Sequence, residues 1–436
     1  MRPSHPSKLA GVYLAQRTRF GVKFGLDTIR ALVEQMGHPE RAFTTLLVSG
    51  TNGKGSVVAC VDSVLRASGL RVGRYTSPHL VRVNERIAVN GRDITDHDFE
   101  TAVRSVRAAA ERLVRNRTIG SHPTFFEALT AAAFAHFRRK RVDVAVLEVG
   151  LGARLDATNV ADPIASAIAS VALDHQVYLG RTLASIAREK AGVMRRGRPT
   201  VVGPLTADAL RAVRTQARAT GARVVEARRG SQVVARGGEG NRVDVRTPLR
   251  SYPDLRPLPG LHQRDNLLVA VRLLEEAHAE GLAVDLEALP AAVSRTRWPG
   301  RLEWIDGDPP LLLDGAHNPA GARALASHLR GRGPYVLLFA AMNDKDVVGI
   351  ARALFPRACD VVLTHPRLPR AMAPDELARR LGRRAVRAHR ERSVFRALAL
   401  ARRLARARGA GTPVVVAGTL FLVGEVKGLL ERGHLG

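Results

Sequence analysis

The hydrophobic positions of this chain fall into short continuous runs separated by longer stretches with helical spacing. LLVSGTNGKGS (Leu46 to Ser56) is an apolar run that ends in a glycine-rich turn, and the helix-like stretch Val57 to Ser68 follows it. VDVAVLEVGLG (Val142 to Gly152) is almost wholly apolar until its Glu and Gly, the pattern of a strand buried on both faces. PIASAIASVALDHQVYLG is a second such run, ending in Asp174 and His175, and PTVVG is a shorter third. Between them lie helical patterns. FGLDTIRALVEQMG, before Phe43, spaces its apolar residues helically and stops at a glycine. In ITDHDFE, Thr95 is placed to cap a helix with Asp98 three residues on, and that helix runs to about Arg115. FFEALTAAAFAHF begins another near Pro123, and TLASIAREKAGVM a further one. RVGRYTSPHL turns from strand into loop at Pro78, and Val81 to Asp93 alternates loosely.

Strands alternating with helices predict a doubly wound α/β domain with a mostly parallel sheet, whose ligands bind at the carboxyl ends of the strands. Ser49 to Ser56, Ser77, Glu148 and His175 all sit at such predicted ends. Arg223 to Arg246 is β-like and glycine-rich and reads as a small antiparallel sheet; LPGLHQRDNLLVAVRLLEEA then opens a helix. RTRWPGRLEW (Arg295 to Trp304) carries a Pro-Gly break between helical and strand patterns and is the expected domain boundary. Alternation resumes in PPLLLDGAHNPAGARALASHL, YVLLFAAMNDKD, CDVVLTHP and PVVVAGTLFLVGEV, the pattern of a second, smaller Rossmann-like domain. The expected division is residues 1–295, a linker at 296–300, and residues 301–436.

Length agrees, since 436 residues exceed one ordinary core. With 45% apolar but only 4% aromatic residues, the core must rest on Val, Leu, Ile and Ala. No stretch reaches the roughly 18 apolar residues needed to span a bilayer. MRPSHPSKLAGVYLAQ lacks the apolar segment of a secretion signal. Two cysteines, Cys60 and Cys359, form neither a disulfide framework nor a metal pattern, and Cys60 reads as a small core residue. A cytoplasmic protein is the expectation. The formal net charge of +28 would attract polyanions. Its arginines, however, are dispersed through helices among Ala and Leu, as in Arg138 to Arg141, Arg379 to Arg384 and Arg402 to Arg408. No basic stripe is interleaved with aromatics, and no zinc-finger or RNA-binding signature is present. Solvated helix faces account for the charge, which is compatible with steering small anionic substrates.

The chemistry begins at the glycine-rich turn. A strand feeding such a turn at a helix N-terminus presents unpaired backbone N–H groups and the positive end of the helix dipole to an anion. Glycine permits close approach, and a lysine meets the outer phosphates. The spacing here is G-x-x-G-K-G-S, with Gly55 between Lys54 and Ser56 and Val48 where the strict motif has its first glycine. It reads as a nucleoside triphosphate site. Phosphoryl transfer asks for positioning and charge neutralisation, and magnesium needs only one or two carboxylates. Glu148, ending an apolar strand, is a candidate ligand, with a helix cap or a salt bridge as the lesser alternatives. Taken alone, His175 reads as a hydrogen-bonded structural residue, Ser77 as a turn residue before proline, and Lys190 as a solvated helix lysine. Asp314 and His317 in LDGAHNPAG follow a strand and fit a turn with an Asp cap; Arg301 fits a surface charge.

Read together, the segments SGTNGKGS, TSPHLVRVNERI, TFFEALTAAAF, EVGLGARLDATN, ALDHQVYLG, REKAGV, LPGLHQRDN, WPGRLE, LDGAHNPAG, MNDKD and AGTLFLVGEV resemble, in order, the folylpolyglutamate synthase and dihydrofolate synthase family of the Mur ligase superfamily. The resemblance spans nearly the whole chain. It implies an ATPase domain joined to a Rossmann-like glutamate ligase domain, with active sites in the cleft between them. It also implies that Asn52, Gly53, Lys54, Gly55 and Ser56 hold the ATP phosphates. Ser77, Glu148 and His175 would bind magnesium. Asn266 would lie near the adenine, and Arg301 and Asp314 would contact ATP from the second domain. His317 would stand close to the glutamate and the phosphoryl-transfer site. Thr124, Phe125, Phe126 and Glu127, with Leu155, would form the pterin-binding segment. Ser77 to Ile87 would be a mobile loop that senses folate, and Lys190 would be a lysine carried as a carbamate. Two departures stand out: Ala153 replaces the second glycine of EVGLGGRLD, a methyl near the metal-bearing strand end, and Gln176 and Val177 follow the DH pair.

The expected activity is therefore ATP-dependent amide bond formation. A substrate carboxylate becomes an acyl phosphate, and L-glutamate then displaces phosphate. Both dihydropteroate and reduced folates already bearing glutamate are expected acceptors; the enzyme is expected to be a monomer with no nucleic-acid or membrane partner. A Mur-type cell-wall ligase would carry an additional N-terminal domain, for which no room is left before Ser49. A nucleic-acid-stimulated ATPase, suggested by the charge, would show steep salt dependence.

Overall fold

The computed structural model describes residues 8–17, 25–237 and 241–433. Phe24 lies outside them, so the expected N-terminal helix is seen from Asp27–Gln35 onward. Eight strands form the first sheet: β1 (Thr44–Ser49), β2 (Val72–Tyr75), β3 (Ile87–Val89), β4 (Arg92–Asp93), β5 (Val144–Glu148), β6 (Ala165–Ile168), β7 (Pro199–Val202) and β8 (Arg223–Glu226). Their spatial order is β4-β3-β2-β5-β1-β6-β7-β8. The hairpin β3–β4 and its junction with β2 are antiparallel, and the remaining pairs are parallel.

Side-chain alternation explains why these strands are apolar throughout. On β5, Val144 and Val146 enter the core under the helices Lys54–Ala67 and His262–Ala279. Ala145 and Leu147 enter the opposite core, under Asp96–Arg115 and Phe125–Arg139. A sheet covered on both faces has no polar face. The expected caps are present: the Thr95 side chain accepts from the Asp98 N–H at the start of Asp96–Arg115.

Two expectations need correction. The run ending in Asp174 and His175 is a strand only as far as Ile168; Asp174 lies in the loop beyond, and His175 precedes the short helix Gln176–Leu179. Arg223–Glu226 is not antiparallel either. It joins β7 in parallel as the edge of the large sheet. The small antiparallel sheet comes later, from β9 (Gln232–Ala235), β10 (Val243–Arg246) and β11 (Ser251–Leu255).

After the turn at Trp298 to Gly300, six strands build another sheet: β12 (Glu303–Ile305), β13 (Leu311–Leu313), β14 (Tyr335–Phe339), β15 (Ala358–Leu363), β16 (His389–Arg390) and β17 (Val414–Ala417). Their order is β12-β13-β17-β14-β15-β16, with only β12 antiparallel. The same alternation recurs: Leu337, Phe339 and Val415 face one core, while Val336, Leu338 and Val414 face the other. No helix among the described residues is long and apolar enough to cross a membrane.

Register decides where a site can form. Val48 pairs with Glu148 and Ser49 with Ile168, so β1, β5 and β6 end level. In the second sheet Leu313 pairs with Val416, and Phe339 with both Ala417 and Leu363. The loops leaving both carboxyl edges line one cleft of about 1300 Å³.

Candidate active site

The glycine-rich turn leaves β1 and is fastened to the loop after β6. The Thr51 N–H donates to Ser170 O at 2.8 Å, the Asn52 N–H to Ser170 Oγ at 3.0 Å, and Ser170 Oγ donates back to Asn52 O at 2.9 Å. Gly53 has φ +85°, and a Cβ there would lie 2.2 Å from Asn266 Oδ1. Only glycine fits that approach. At Gly55 a Cβ would lie 2.7 Å from the indole nitrogen of Trp298, so the glycine inserted between Lys54 and Ser56 is where that ring lies on the helix start. The helix itself begins at Lys54, three residues earlier than the apolar pattern indicated. Lys54 folds back, donating to Gly50 O at 3.1 Å and Thr51 O at 3.4 Å. Burial lowers its pKa against the opposing pull of Glu148 and Asp174.

Glu148 is 5% exposed at the end of β5. Its Oε2 accepts the Ser77 N–H at 3.1 Å, while burial raises its pKa against the charge of Lys54. Among the described residues its Oε1 and the Ser77 hydroxyl take part in no hydrogen bond. His175 lies against residues of the second sheet's loops: Nδ1 is 3.4 Å from Asp344 Oδ2, and the Lys345 ammonium is 3.3 Å from Nε2. Burial, then Lys345, depresses its pKa to about 4, so the imidazole is neutral at pH 7 and able to act as a ligand. No group of three or more His, Cys, Asp and Glu among the described residues is arranged around a cation. One carboxylate oxygen, one hydroxyl and one neutral imidazole suit a divalent ion held largely by phosphate and water.

Lys190 is 4% exposed and, among the described residues, makes no hydrogen bond or ion pair. Burial, reinforced by Lys54, brings its pKa down to about 7. It lines the cleft rather than the solvated surface that its helical spacing indicated.

Thr124 and Glu127 form a capping box on Phe125–Arg139: the Thr124 N–H and Oγ1 both donate to Glu127 Oε2 at 2.8 Å. Glu127 Oε1 is buried and has no hydrogen-bond partner among the described residues. Phe126 packs against Tyr75, the rings tilted by 48° with centres 5.9 Å apart, and presses on Gly150, where a Cβ would come within 2.6 Å of the ring. Leu155 lines the same wall. Ala153, shortly after the end of β5, buries its methyl fully in the apolar core and does not line the cleft. Gln176 and Val177 are exposed and do not line the cleft.

The second sheet supplies the facing wall. Arg301 and His317 reach into the cleft. Asp314 lines it too, but both its oxygens accept backbone N–H groups, from Leu302 and Ala316, each at 2.9 Å. His317 Nδ1 donates to Gly315 O at 2.8 Å, leaving Nε2 toward Asp174 Oδ2 at 3.4 Å. Asn266 donates to Gln263 Oε1 at 2.8 Å, and Gln263 to the Ser56 hydroxyl at 3.2 Å. The loop Ser77 to Ile87, expected to be mobile, is tied by Glu85, which accepts the N–H groups of Leu80, Val81 and Arg82 at 2.7, 2.8 and 2.6 Å.

Sequence reasoning missed several residues here. Asp174 is the hub between the two walls, receiving Lys345 Nζ at 2.5 Å and Asn318 Nδ2 at 3.0 Å. Burial would raise its pKa; the His317 ring beside it and the charge of Lys345 win and hold it well below the usual range. Asn318 also exchanges amide hydrogen bonds with Asn52 at 3.0 and 3.4 Å. Arg86 and Trp298 fall within TSPHLVRVNERI and WPGRLE but receive no role there, since a lone arginine or tryptophan carries no spacing signal.

The pattern described as "Mur ligase, glutamate ligase domain" matches residues 300–420. The chain is 35% identical to the dihydrofolate synthase/folylpolyglutamate synthase of Bacillus subtilis, over 83% of this chain and 85% of that one. The structure of Mycobacterium tuberculosis folylpolyglutamate synthase complexed with ADP and AMPPCP superposes with a TM-score of 0.89 at 32% identity, covering 97% of this chain and 99% of that one. A bifunctional folylpolyglutamate synthase/dihydrofolate synthase from Yersinia pestis, complexed with AMPPNP and a Mn ion, gives a TM-score of 0.84 at 29% identity, covering 99% and 100%.

Proposed function

This chain belongs to the dihydrofolate synthase/folylpolyglutamate synthase family, and on that premise we propose that it is an ATP-dependent ligase joining L-glutamate to dihydropteroate and to reduced folate polyglutamates. The observation that carries the reading is the meeting of two carboxyl edges across one cleft, with the phosphate loop and Glu148 on one wall and Arg301, His317 and Lys345 on the other. We place the division between the two units at 296–300.

Asn52 to Ser56 bind the ATP phosphates through the N-terminus of Lys54–Ala67, and Lys54 exchanges its loop carbonyls for phosphate oxygens. Asn266 lies toward the adenine, while Arg301 and the turn shaped by Asp314 approach the nucleotide from the other wall. Ser77, Glu148 and His175 hold the divalent cation, magnesium in our reading; what it supplies when bound is neutralisation of charge on the phosphate oxygens. Thr124 to Glu127 and Leu155 receive the pterin end of the acceptor. The acceptor carboxylate oxygen bonds to the γ-phosphorus as the bond to ADP breaks. The glutamate amine, positioned by His317, then bonds to the carbonyl carbon and loses a proton, and phosphate leaves. Closure of the two walls keeps water from the acyl phosphate.

Lys190 supports a second element of the reading. A buried lysine with a pKa of about 7 presents neutral amine at physiological pH, and that amine adds carbon dioxide to give a carbamate and a proton. The product is an anion inside a cleft already holding Lys54. We read the protein as a cytoplasmic monomer acting on small molecules, without nucleic acid or membrane.

Phosphate release tests the whole reading. Purified protein with ATP, magnesium and L-glutamate is expected to respond to dihydropteroate and, separately, to tetrahydrofolate. Response to one alone would narrow the acceptor. Silence with both would overturn the reading.

A further inference from the structure

Arg86 is a buried cation to which the mechanism so far gives no work. It closes the short helix Val83–Arg86, is 8% exposed, and lines the cleft. Two contacts fix its guanidinium. Nε donates to His79 Nδ1 at 2.9 Å, and the central carbon lies 5.2 Å from the centre of the Phe125 ring. Neither contact neutralises it. Burial and Arg86 itself hold the His79 pKa near 3, so His79 is an uncharged acceptor. Among the described residues, the terminal amino groups of Arg86 make no hydrogen bond, and no carboxylate comes within ion-pair distance. The carboxylates whose charge it feels are those of Glu148 and Glu85. Glu85 already accepts three backbone N–H groups, and Glu148 takes that of Ser77. Buried guanidinium groups are otherwise found paired, and this fork of donors matches a carboxylate in two parallel hydrogen bonds.

Its position says which carboxylate. Phe125, under the guanidinium, opens the helix whose first turn also carries Phe126 and Glu127. Glu148, whose charge is felt by Arg86, is felt also by Lys54 and Arg301, the cations of the nucleotide. Arg86 therefore stands between the aromatic wall and the phosphate end. We propose that Arg86 binds the carboxylate of the acceptor substrate, the group to be phosphorylated, and presents it to the γ-phosphate. The assignment rests on the ligase reading above and adds a residue to it. Once one oxygen carries phosphate, the other remains on the guanidinium. When the glutamate amine adds, that oxygen gains negative charge, and the same donors stabilise it in the tetrahedral intermediate.

The test compares binding of dihydropteroate with that of its carboxamide, which keeps the pterin and ring but lacks the charge. Wild-type enzyme is expected to prefer the acid by about 10- to 100-fold, the range of a hydrogen-bonded charged pair. Arg86→Gln should bind acid and amide equally, with the KM for ATP unchanged and kcat reduced. A merely structural arginine would not move that preference. Arg86→Lys keeps the charge without the fork, and serves if the glutamine variant fails to fold; its turnover should drop at least about tenfold. Full preference for the acid in folded Arg86→Gln, or wild-type turnover in folded Arg86→Lys, overturns the assignment alone. Wild-type enzyme that bound neither compound would overturn the acceptor reading and the assignment with it.

Discussion

Lys54 and Lys190 show how burial turns the same side chain to different uses. Among the described residues Lys54 has only loop carbonyls for hydrogen-bond partners, and its pKa is lowered by burial. Lys54→Ala therefore removes no stabilising ion pair, and thermal unfolding should be unchanged. Turnover should fall by roughly 10³-fold, the order expected for losing a preorganised cation at developing charge. Lys190 yields a prediction with a sign. Its pKa of about 7 lies below that of the unfolded lysine, so the folded chain holds the proton less tightly. The unfolded state binds more protons between the two values, and the group's destabilising effect fades as pH rises through that window. Neutral amine, the form that the proposed carbamate requires, increases in the same direction. Enzyme freed of carbon dioxide at about pH 6 should be poorly active and should recover with labelled bicarbonate at about pH 8, as the amine deprotonates. A carbamate carbon signal absent from Lys190→Ala would assign it; full activity without bicarbonate would refute it. Sequence made the lysine of the phosphate loop legible, because strand, glycines, GK and helix occur in one local order. Lys190 looked like a solvated helix residue, since its burial is created by segments far away in sequence.

Among the elements, those marked by local chemistry are legible in the sequence, whereas one edge strand and one strand end that depend on their neighbours are not. The helix Asp96–Arg115 announced itself through Thr95 and Asp98, and its cap is the one observed. Thr95→Ala should cost about 1 kcal/mol, the usual worth of such a cap, and leave kinetic constants alone. Chemical denaturation paired with steady-state kinetics checks both halves. Thr124 is a sharper case, because its hydroxyl and Glu127 satisfy each other while the same residues line the cleft. There a lost cap and a lost substrate contact would arrive together, and Thr124→Ser, which keeps the cap, separates them. Val224 and its neighbours read as part of the small antiparallel sheet because edge strands of any sheet share the same half-buried, β-branched composition. Only the crossover helix Ala207–Thr220 brings that strand parallel to β7. The strand ending at Ile168 was read too long because Val171, Ala172 and Leu173 continue the apolar run in a loop that packs against the phosphate turn.

Assembly of the whole molecule depends on the cleft, and the cleft is held by Asp174. One wall contributes this carboxylate, and the other contributes Lys345 at 2.5 Å, Asn318 at 3.0 Å and the His317 ring at 3.4 Å. A second strut joins Asn318 to Asn52, within the phosphate turn. The depressed pKa of Asp174 means that its contribution is complete above the unfolded carboxylate's value and is lost only as pH falls below it. The latch is therefore constant across neutral pH. Removing Lys345 leaves Asp174 without its shortest partner, and stranding a buried charge costs roughly 3–5 kcal/mol. The molecule has an alternative to unfolding, because Asp174 borders a cleft and regains water if the walls part. Lys345→Met is expected to open the protein, raising the radius of gyration in solution scattering without a matching loss of thermal stability. An open cleft admits water to the acyl phosphate, so phosphate release should exceed amide formation, where the parent enzyme keeps the two equal. Adding Asp174→Asn removes the stranded charge, and replacing both members of a buried pair is close to neutral. The double variant should scatter like the parent even if its catalysis stays low. Equal scattering and tight coupling in Lys345→Met would locate closure elsewhere, in joints such as the Asn52–Asn318 amide pair, the His175–Asp344 contact and the packing of Leu80 on Gly424.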